Sequence, residues 1–473
     1  MKRFVKNTAV MAGGVAGSQL LLLLATPIIT RLYTPQDFGI LAVYIGLLGL
    51  FSVISSFRYE MAIPIVEKDD EAIDLVFLSL ILVSLTSLIS CILIIVFGET
   101  IAIFLKVPRL ESLLWLLPVG VCFVGTYQIF NKYALREKLF KNIAITRISQ
   151  SVAILTIQLL AYKLGAVALL TAQSIGQGTG ALTLSKGVFS RLRLSNKRKI
   201  ISVAKKYRRF PLYSSWAGLL NTLGSQLPPL AFASLFSSQV AGYYALAFGL
   251  VTAPISLLAN AIGSVFLSDA ANAWRNGGLG AKIDFIHDKL ANVAMPIIIT
   301  LVFVMPDIFT WVFGAQWTTA GYFAQWMLPW IYLVFVTSPV STTYEVIGKQ
   351  SEYLIFQFSL FIVRLCAILY GAHLNDLKYT IVLFSLSSAV CWLIFLLRMY
   401  ALIGLRIRHA VIATAKAFVV GIICAAPCLL GVLLNVEMKI LIGLIIISLL
   451  ICGINAFFTM KNAFFTMKTV VRG

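Results

Sequence analysis

Residues 186–209 read KGVFSRLRLSNKRKIISVAKKYRR. Ten positions in this stretch are Lys or Arg (186, 191, 193, 197, 198, 199, 205, 206, 208 and 209), and none is acidic. Apolar runs of helix length precede it and more follow it, so it divides a hydrophobic chain into two lobes. Its meaning depends on what those runs are.

The chain has 473 residues, is 60% hydrophobic and only 12% charged, and has a mean hydropathy of +0.94. Soluble domains carry about one quarter charged residues, and apolar runs of about 18 or more mark bilayer spans. The expected fold class is therefore all-α: a polytopic membrane protein. A net charge of +20 would also suit a nucleic-acid binder. Here the cations sit in short loops beside apolar runs, a pattern of membrane orientation instead. The first run follows a charged head and continues past twenty residues, which predicts an uncleaved first span rather than a signal peptide.

Fourteen spans are expected, near 8–30, 38–57, 73–97, 113–130, 144–162, 165–185, 210–235, 240–266, 290–313, 321–343, 352–373, 379–402, 411–434 and 438–459. With the N-terminus inside, inner segments hold about 30 of the 38 Lys and Arg and outer loops about 6. Excess Lys and Arg mark cytoplasmic loops, so both termini are expected in the cytoplasm. The outer loops are too short for a catalytic domain. The larger connectors, 58–72, 131–143, 186–209 and 267–289, are all inside. The expected organisation is a six-helix lobe over 1–185, the basic connector 186–209, a second six-helix lobe over 210–402, and two further helices with a tail over 403–473. Prolines recur within spans, and Pro228-Pro229 in span 7 is the strongest helix-break signal.

An internal repeat supports the two lobes. Gly17-Ser18-Gln19-Leu20 in span 1 recurs as Gly224-Ser225-Gln226-Leu227 in span 7. Tyr33-Thr34-Pro35-Gln36-Asp37-Phe38-Gly39 then matches Phe236-Ser237-Ser238-Gln239-Val240-Ala241-Gly242. Six spans per lobe keep the copies in the same orientation, a parallel repeat about the membrane normal. A second repeat, Asn455–Lys461 followed at once by the identical Asn462–Lys468, extends the tail and carries no assigned function.

Ionisable groups within spans cost about 2.5–3.5 kcal/mol each on insertion scales, which makes them candidates for function. Arg364 lies midway along span 11, as either a packing arginine or a cavity cation. Arg147 lies about a turn into span 5. Arg58 and Glu60 close span 2, where they either pair with one another or face a vestibule. Arg31 ends span 1 in the same ambiguous way. After span 4, Asn131, Lys132 and Arg136 alternate with aromatic residues at an inner mouth, suited either to phosphate contact or to interfacial anchoring.

Several motifs fail on spacing. Gly176-Gln177-Gly178-Thr179-Gly180 follows no strand, and its Gly176 and Gly180 form a GxxxG packing surface. No phosphate-binding GxxxxGK[ST] is present. The seven cysteines lie in apolar segments, and the three histidines (287, 373, 409) are expected in loops. No metal site and no cofactor is expected.

Taken together, the basic head with Gly17-Ser18-Gln19, the segment Arg31–Gly39, Arg58-Tyr59-Glu60-Met61-Ala62-Ile63, and residues Asn131 through Arg147 form an ordered set. This set resembles the bacterial polysaccharide (O-antigen) flippases of the multidrug/oligosaccharidyl-lipid/polysaccharide exporter superfamily. The resemblance covers most of the chain and is strongest over residues 1–150. It implies two six-helix lobes arranged as a V, in the bacterial cytoplasmic membrane. The implied substrate is an undecaprenyl-pyrophosphate-linked oligosaccharide such as an O-antigen repeat unit, moved by alternating access. Implied partners are that lipid, membrane lipids, and the glycan polymerase and assembly machinery. Arg58, Arg147, Arg364 and Arg31 are then candidate cations for the pyrophosphate, with Glu60 beside Arg58. Gln19, Asn221 and Gln226 are candidate polar groups. The rivals are a cation-coupled multidrug antiporter, a peptidoglycan lipid-precursor flippase and a polytopic glycan enzyme. The antiporter would need carboxylates in mid-span, and the enzyme a large outer loop.

Overall fold

A computed structural model of the chain describes residues 2–185, 196–434 and 436–470. Among them there is no strand, and each expected span lies on its own long helix. These are α1 (Lys2–Leu32), α2 (Pro35–Ile54), α3 (Asp69–Phe104), α4 (Leu116–Arg136), α5 (Phe140–Leu160), α6 (Ala166–Ser185) and α7 (Ser215–Leu235). They continue as α8 (Ser238–Arg275), α9 (Leu279–Phe313), α10 (Thr318–Thr337), α11 (Gln350–His373), α12 (Leu377–Leu402), α13 (Ile407–Leu433) and α14 (Met438–Val470). Ten stretches within the described helices are long and apolar enough to cross a bilayer. Leu24, Ile95 and Leu160 are each more than 70% exposed. Side chains of this kind suit a lipid solvent and not water.

The helices gather into two compact units, Met1–Ala245 and Leu246–Gly473. In the first unit, α1 runs alongside α5: Gly14 seats on Ala144, and the Tyr33 hydroxyl donates to the Gln158 carbonyl at 2.6 Å. The glycine-rich segment of α6 is a packing surface, as its spacing predicts. Gly176 accommodates Ile154, Gly178 accommodates Phe123, and Gly180 accommodates Gln150 and Tyr127. Small residues at such spacing let backbones approach closely, which is what associates helices in lipid.

The repeated segments build equivalent helix starts. Thr34 caps α2, its hydroxyl accepting from the Asp37 amide at 3.2 Å. At the matching position, the Ser237 hydroxyl accepts from the Val240 amide at 3.3 Å at the start of α8. Asp37 does more than close its own capping box. Its second carboxylate oxygen accepts from the Ala166 amide at 3.1 Å, so it also caps α6. A carboxylate there satisfies an orphan N–H and complements the helix dipole. In the second unit, α9 packs against α10, α13 and α14, with Gly421 of α13 seated on Met295 and Ile299.

Three expectations need correction. The inner connector 267–289 is not a loop: α8 runs to Arg275 and α9 starts at Leu279, both prolonging their spans with polar turns. As a result His287 lies within α9, buried, with its Nδ1 2.7 Å from the Tyr400 hydroxyl. His373 and His409 are likewise helical, in the last turn of α11 and the first turn of α13. Finally, α7 passes through Pro228-Pro229 without a break. Both rings are buried, and packing against neighbouring helices holds such a helix together despite the lost donors. The irregular backbone comes earlier, as a π turn over Phe210–Ser214 that contains Pro211.

Of the basic connector, residues 186–195 lie outside the described residues. The remainder forms a helix, Lys197–Lys206, capped by Asn196 and docked on the start of α3. The Lys206 ammonium meets Glu71 at 2.6 Å, the Tyr207 hydroxyl donates to the same carboxylate at 3.0 Å, and the Tyr59 hydroxyl donates to the Ala204 carbonyl at 3.0 Å. The bond to Glu71 holds Lys206 protonated above its ordinary range. Helix α14 continues through both copies of the tail repeat; the side chains of the second copy are outside those described.

Candidate functional site

Between α2 and α3 the chain makes a tight reversal. Phe57 and Arg58 both adopt left-handed backbone conformations, with φ of 49° and 62°, and a 3-10 turn over Tyr59–Ile65 follows. Left-handed φ at a non-glycine residue is uncommon and persists only where the surroundings over-determine it. The surroundings do so here. Arg136, at the end of α4, donates to the Ile63 carbonyl (3.3 Å), the Val66 carbonyl, the Glu67 carbonyl (3.1 Å) and the Asp69 carboxylate (2.8 Å). Its guanidinium clamps the far side of the turn.

Held in this way, the Arg58 guanidinium rests against Gly218 of α7, where a Cβ would collide with it. The Arg58 Nε is buried and has no hydrogen-bond partner. Glu60 does not neutralise it: no ion pair joins the two among the described residues. Glu60 is 2% exposed and accepts from the Ser56 hydroxyl. The alternative in which Arg58 and Glu60 pair with one another is therefore not the one adopted.

Two other sequence candidates share the property of Arg58. The side-chain oxygens of Gln19 on α1 and Asn131 on α4 are buried without a partner. Buried polar atoms are nearly always paired, and an unpaired one costs about 1–3 kcal/mol. Gln226 and Thr222 of α7 face Gly49 of α2. Asn221 and Arg31 are exposed, and Lys132 is half-buried.

Arg147 on α5 stacks its guanidinium 5.3 Å from the centre of the Tyr127 ring. One turn on, Gln150 donates to Gln177 of α6 at 3.3 Å. Tyr127, Gln150 and Gln177 were not singled out in the sequence. Their signal in the sequence is that polar side chains on apolar spans are themselves uncommon, a weaker mark than the charge of Arg147.

In the second unit, Arg364 lies against two aromatic rings that meet edge-on, 4.8 Å from the centre of Trp330 and 5.3 Å from that of Phe384. Its Nε donates to the Ser388 hydroxyl at 3.0 Å. A desolvated cation over a Trp face is held by about 2 kcal/mol. The Trp330 indole N–H is buried without a partner. Among the described residues, no three His, Cys, Asp or Glu side chains are grouped to hold a metal.

The chain that carries these side chains has counterparts elsewhere. A family of polysaccharide biosynthesis proteins matches residues 28–321, more than half of the chain. The chain belongs to this family. No curated protein matches it. Among solved structures, the chain is similar to the lipid II flippase MurJ in an inward closed conformation, with a TM-score of 0.77 at 13% identity over 96% of this chain and 99% of that one. An inward-facing multidrug resistance MATE family transporter of the MOP superfamily aligns with a TM-score of 0.63 at 15% identity, over 84% and 98%. A MOP superfamily transporter from Pyrococcus furiosus, described as having a binding pocket of reversed polarity, aligns at 0.54 with 14% identity, over 83% and 95%. At these identities the likeness is one of fold. The polysaccharide biosynthesis family member described here is a multi-pass membrane protein with the MurJ and MATE transporter fold.

Proposed function

We propose that the protein is a flippase that moves a polyprenyl-pyrophosphate-linked oligosaccharide, an O-antigen or another surface-glycan repeat unit, from the inner to the outer leaflet of the bacterial cytoplasmic membrane. The observation that carries this reading is the set of buried, unpartnered polar atoms on Gln19, Arg58 and Asn131. Arg58 offers an N–H to a phosphate oxygen, and the two amide oxygens offer acceptors to sugar hydroxyls. A phosphorylated glycan supplies both complements. A cationic drug would meet Arg58 and Arg147 with like charge.

Arg58 and Arg147 are the proposed pyrophosphate cations of the first unit, and Arg364 is a proposed substrate-contacting cation of the second. Glu60 supports the turn that presents Arg58, and Arg136 is engaged as a clamp on that turn. Arg31, Lys132, Asn221 and Gln226 are proposed contacts along the route. Both termini and the 186–209 connector are assigned to the cytoplasm by the distribution of Lys and Arg.

The test is deletion of the gene, followed by analysis of surface polysaccharide and of lipid-linked intermediates. The expected outcome is loss of surface glycan with intermediates accumulating on the inner leaflet. Intact glycan with lost drug efflux would overturn the reading in favour of an antiporter. Reporter fusions after residue 195 and at the C-terminus should both report cytoplasm.

A further inference from the structure

Tyr127 of α4 is 4% exposed and its hydroxyl has no hydrogen-bond partner. Gln150 of α5 is 5% exposed and shares one bond, at 3.3 Å, with Gln177 of α6. Gly180 brings the first two together: a Cβ at that position would strike both the Gln150 amide and the Tyr127 ring. Arg147 covers the ring face at 5.3 Å. Gly176, Gly178 and Gly180 thus do more than pack helices, because they draw three helices close enough to juxtapose two amides, a phenol and a guanidinium.

That bond uses one amide hydrogen of Gln150, and both amides keep further donor and acceptor capacity. The Tyr127 hydroxyl both donates and accepts. Contacts between α1 and α5 at Gly14–Ala144 and Tyr33–Gln158 show the two helices running parallel. They place Gln19, with its unpartnered oxygen, at about the level of Arg147. An uncharged donor–acceptor array beside one cation fits a hydroxyl-rich, anionic molecule. It fits neither an acyl chain nor a cation.

We infer that Tyr127, Gln150 and Gln177, with Arg147 beside them, form a sugar-binding site within the first unit that recognises the hydroxyls of the lipid-linked glycan. This rests on the function proposed above and goes beyond it by assigning the sugar its own uncharged contacts, next to Arg147, one of the proposed pyrophosphate cations. Tyr127 is then a specificity residue, since an unmet hydroxyl in the empty protein is satisfied when a sugar hydroxyl meets it.

The experiment uses the full chain purified in detergent, with two probes: lipid-linked glycan extracted from the deletion strain, and polyprenyl pyrophosphate without sugar. Binding is read from the probe concentration that raises the unfolding temperature half-maximally. In the native protein the glycan-bearing lipid is expected to bind at least about tenfold more tightly than the bare lipid. Tyr127→Phe is expected to leave the bare lipid unaffected, to abolish most of that advantage, and to leave the unliganded unfolding temperature unchanged or higher. Gln177→Leu provides the same comparison if the first variant folds poorly. Equal affinity for the two probes in the native protein, or an undiminished advantage in both variants, would overturn the sugar site while leaving the flippase reading intact. Failure of both probes to bind the native protein would overturn the flippase reading itself.

Discussion

Gly39 of α2 and Gly242 of α8, which occupy matching positions in the repeated segments, lie against one another's helix starts. A Cβ on Gly39 would enter the backbone of Ser238, and a Cβ on Gly242 would enter the Pro35 carbonyl and approach the Gly39 amide to 2.9 Å. Both obstacles are backbone, so neither can move aside as a side chain would. Gly39→Ala and Gly242→Ala should each destabilise the protein by about 1–3 kcal/mol or more, as overpacking does. Thermal unfolding in detergent measures this, and Gly13→Ala, where nothing lies within 4 Å, serves as the control.

Arg136 and its acidic partner should behave unequally. Arg136→Met leaves the 63–67 carbonyls without their donor and frees the strained turn at Phe57 and Arg58, a loss of about 3 kcal/mol or more. Asp69→Ala removes a partner whose side chain is 74% exposed and should cost under about 1 kcal/mol. Comparable losses in the two variants would show that the salt bridge, and not the carbonyl clamp, holds the turn.

Arg58→Lys keeps the charge and loses the Nε donor together with the planar guanidinium. Glycan export in a complemented deletion strain should fall at least about tenfold with this variant, at unchanged protein abundance. Gly218→Ala, which drives a methyl group into the guanidinium, should mimic it. Full export in Arg58→Lys would reduce the role of Arg58 to charge alone.

Arg364→Ala should abolish export while the protein still inserts at normal abundance. Losing a cation stacked on Trp330 removes about 2 kcal/mol, which a well-packed second unit can bear. A fall in abundance that matches the fall in export would instead make Arg364 a packing residue.

The docked connector helix should be insensitive to mild alkali. The bond to Glu71 raises Lys206 above its ordinary range. Its contribution is therefore fully present below the normal lysine pKa and disappears only as pH rises through the higher folded value. Protease access to residues 197–206 should be constant from about pH 7 to 9. Lys206→Met, at any pH in that window, should increase it.

The sequence alone determined the class of molecule and the repeat, and it set the expected number and orientation of the spans. These follow from one-dimensional quantities: an apolar run must exceed the bilayer thickness, and Lys and Arg resist crossing it. The structure adds that the repeat carries the caps Thr34 and Ser237, each a local bond within its own segment. What the sequence left undecided was which partner each charged side chain takes. In a span the flanking residues are apolar on every face, so periodicity gives little indication of which side of the helix Arg58 or Arg364 presents to a neighbour. Only the tertiary structure placed Arg58 on Gly218, Arg364 against Trp330 and Phe384, and Arg136 on the turn it clamps. Each depends on a lateral contact with another element of the fold, which no local pattern in the chain specifies. Two outcomes reversed the expectation outright. The Pro228-Pro229 helix stayed whole because packing against neighbours outweighs two missing donors, and the 267–289 connector became helical because nothing in its composition except Gly277-Gly278 interrupts the adjoining spans.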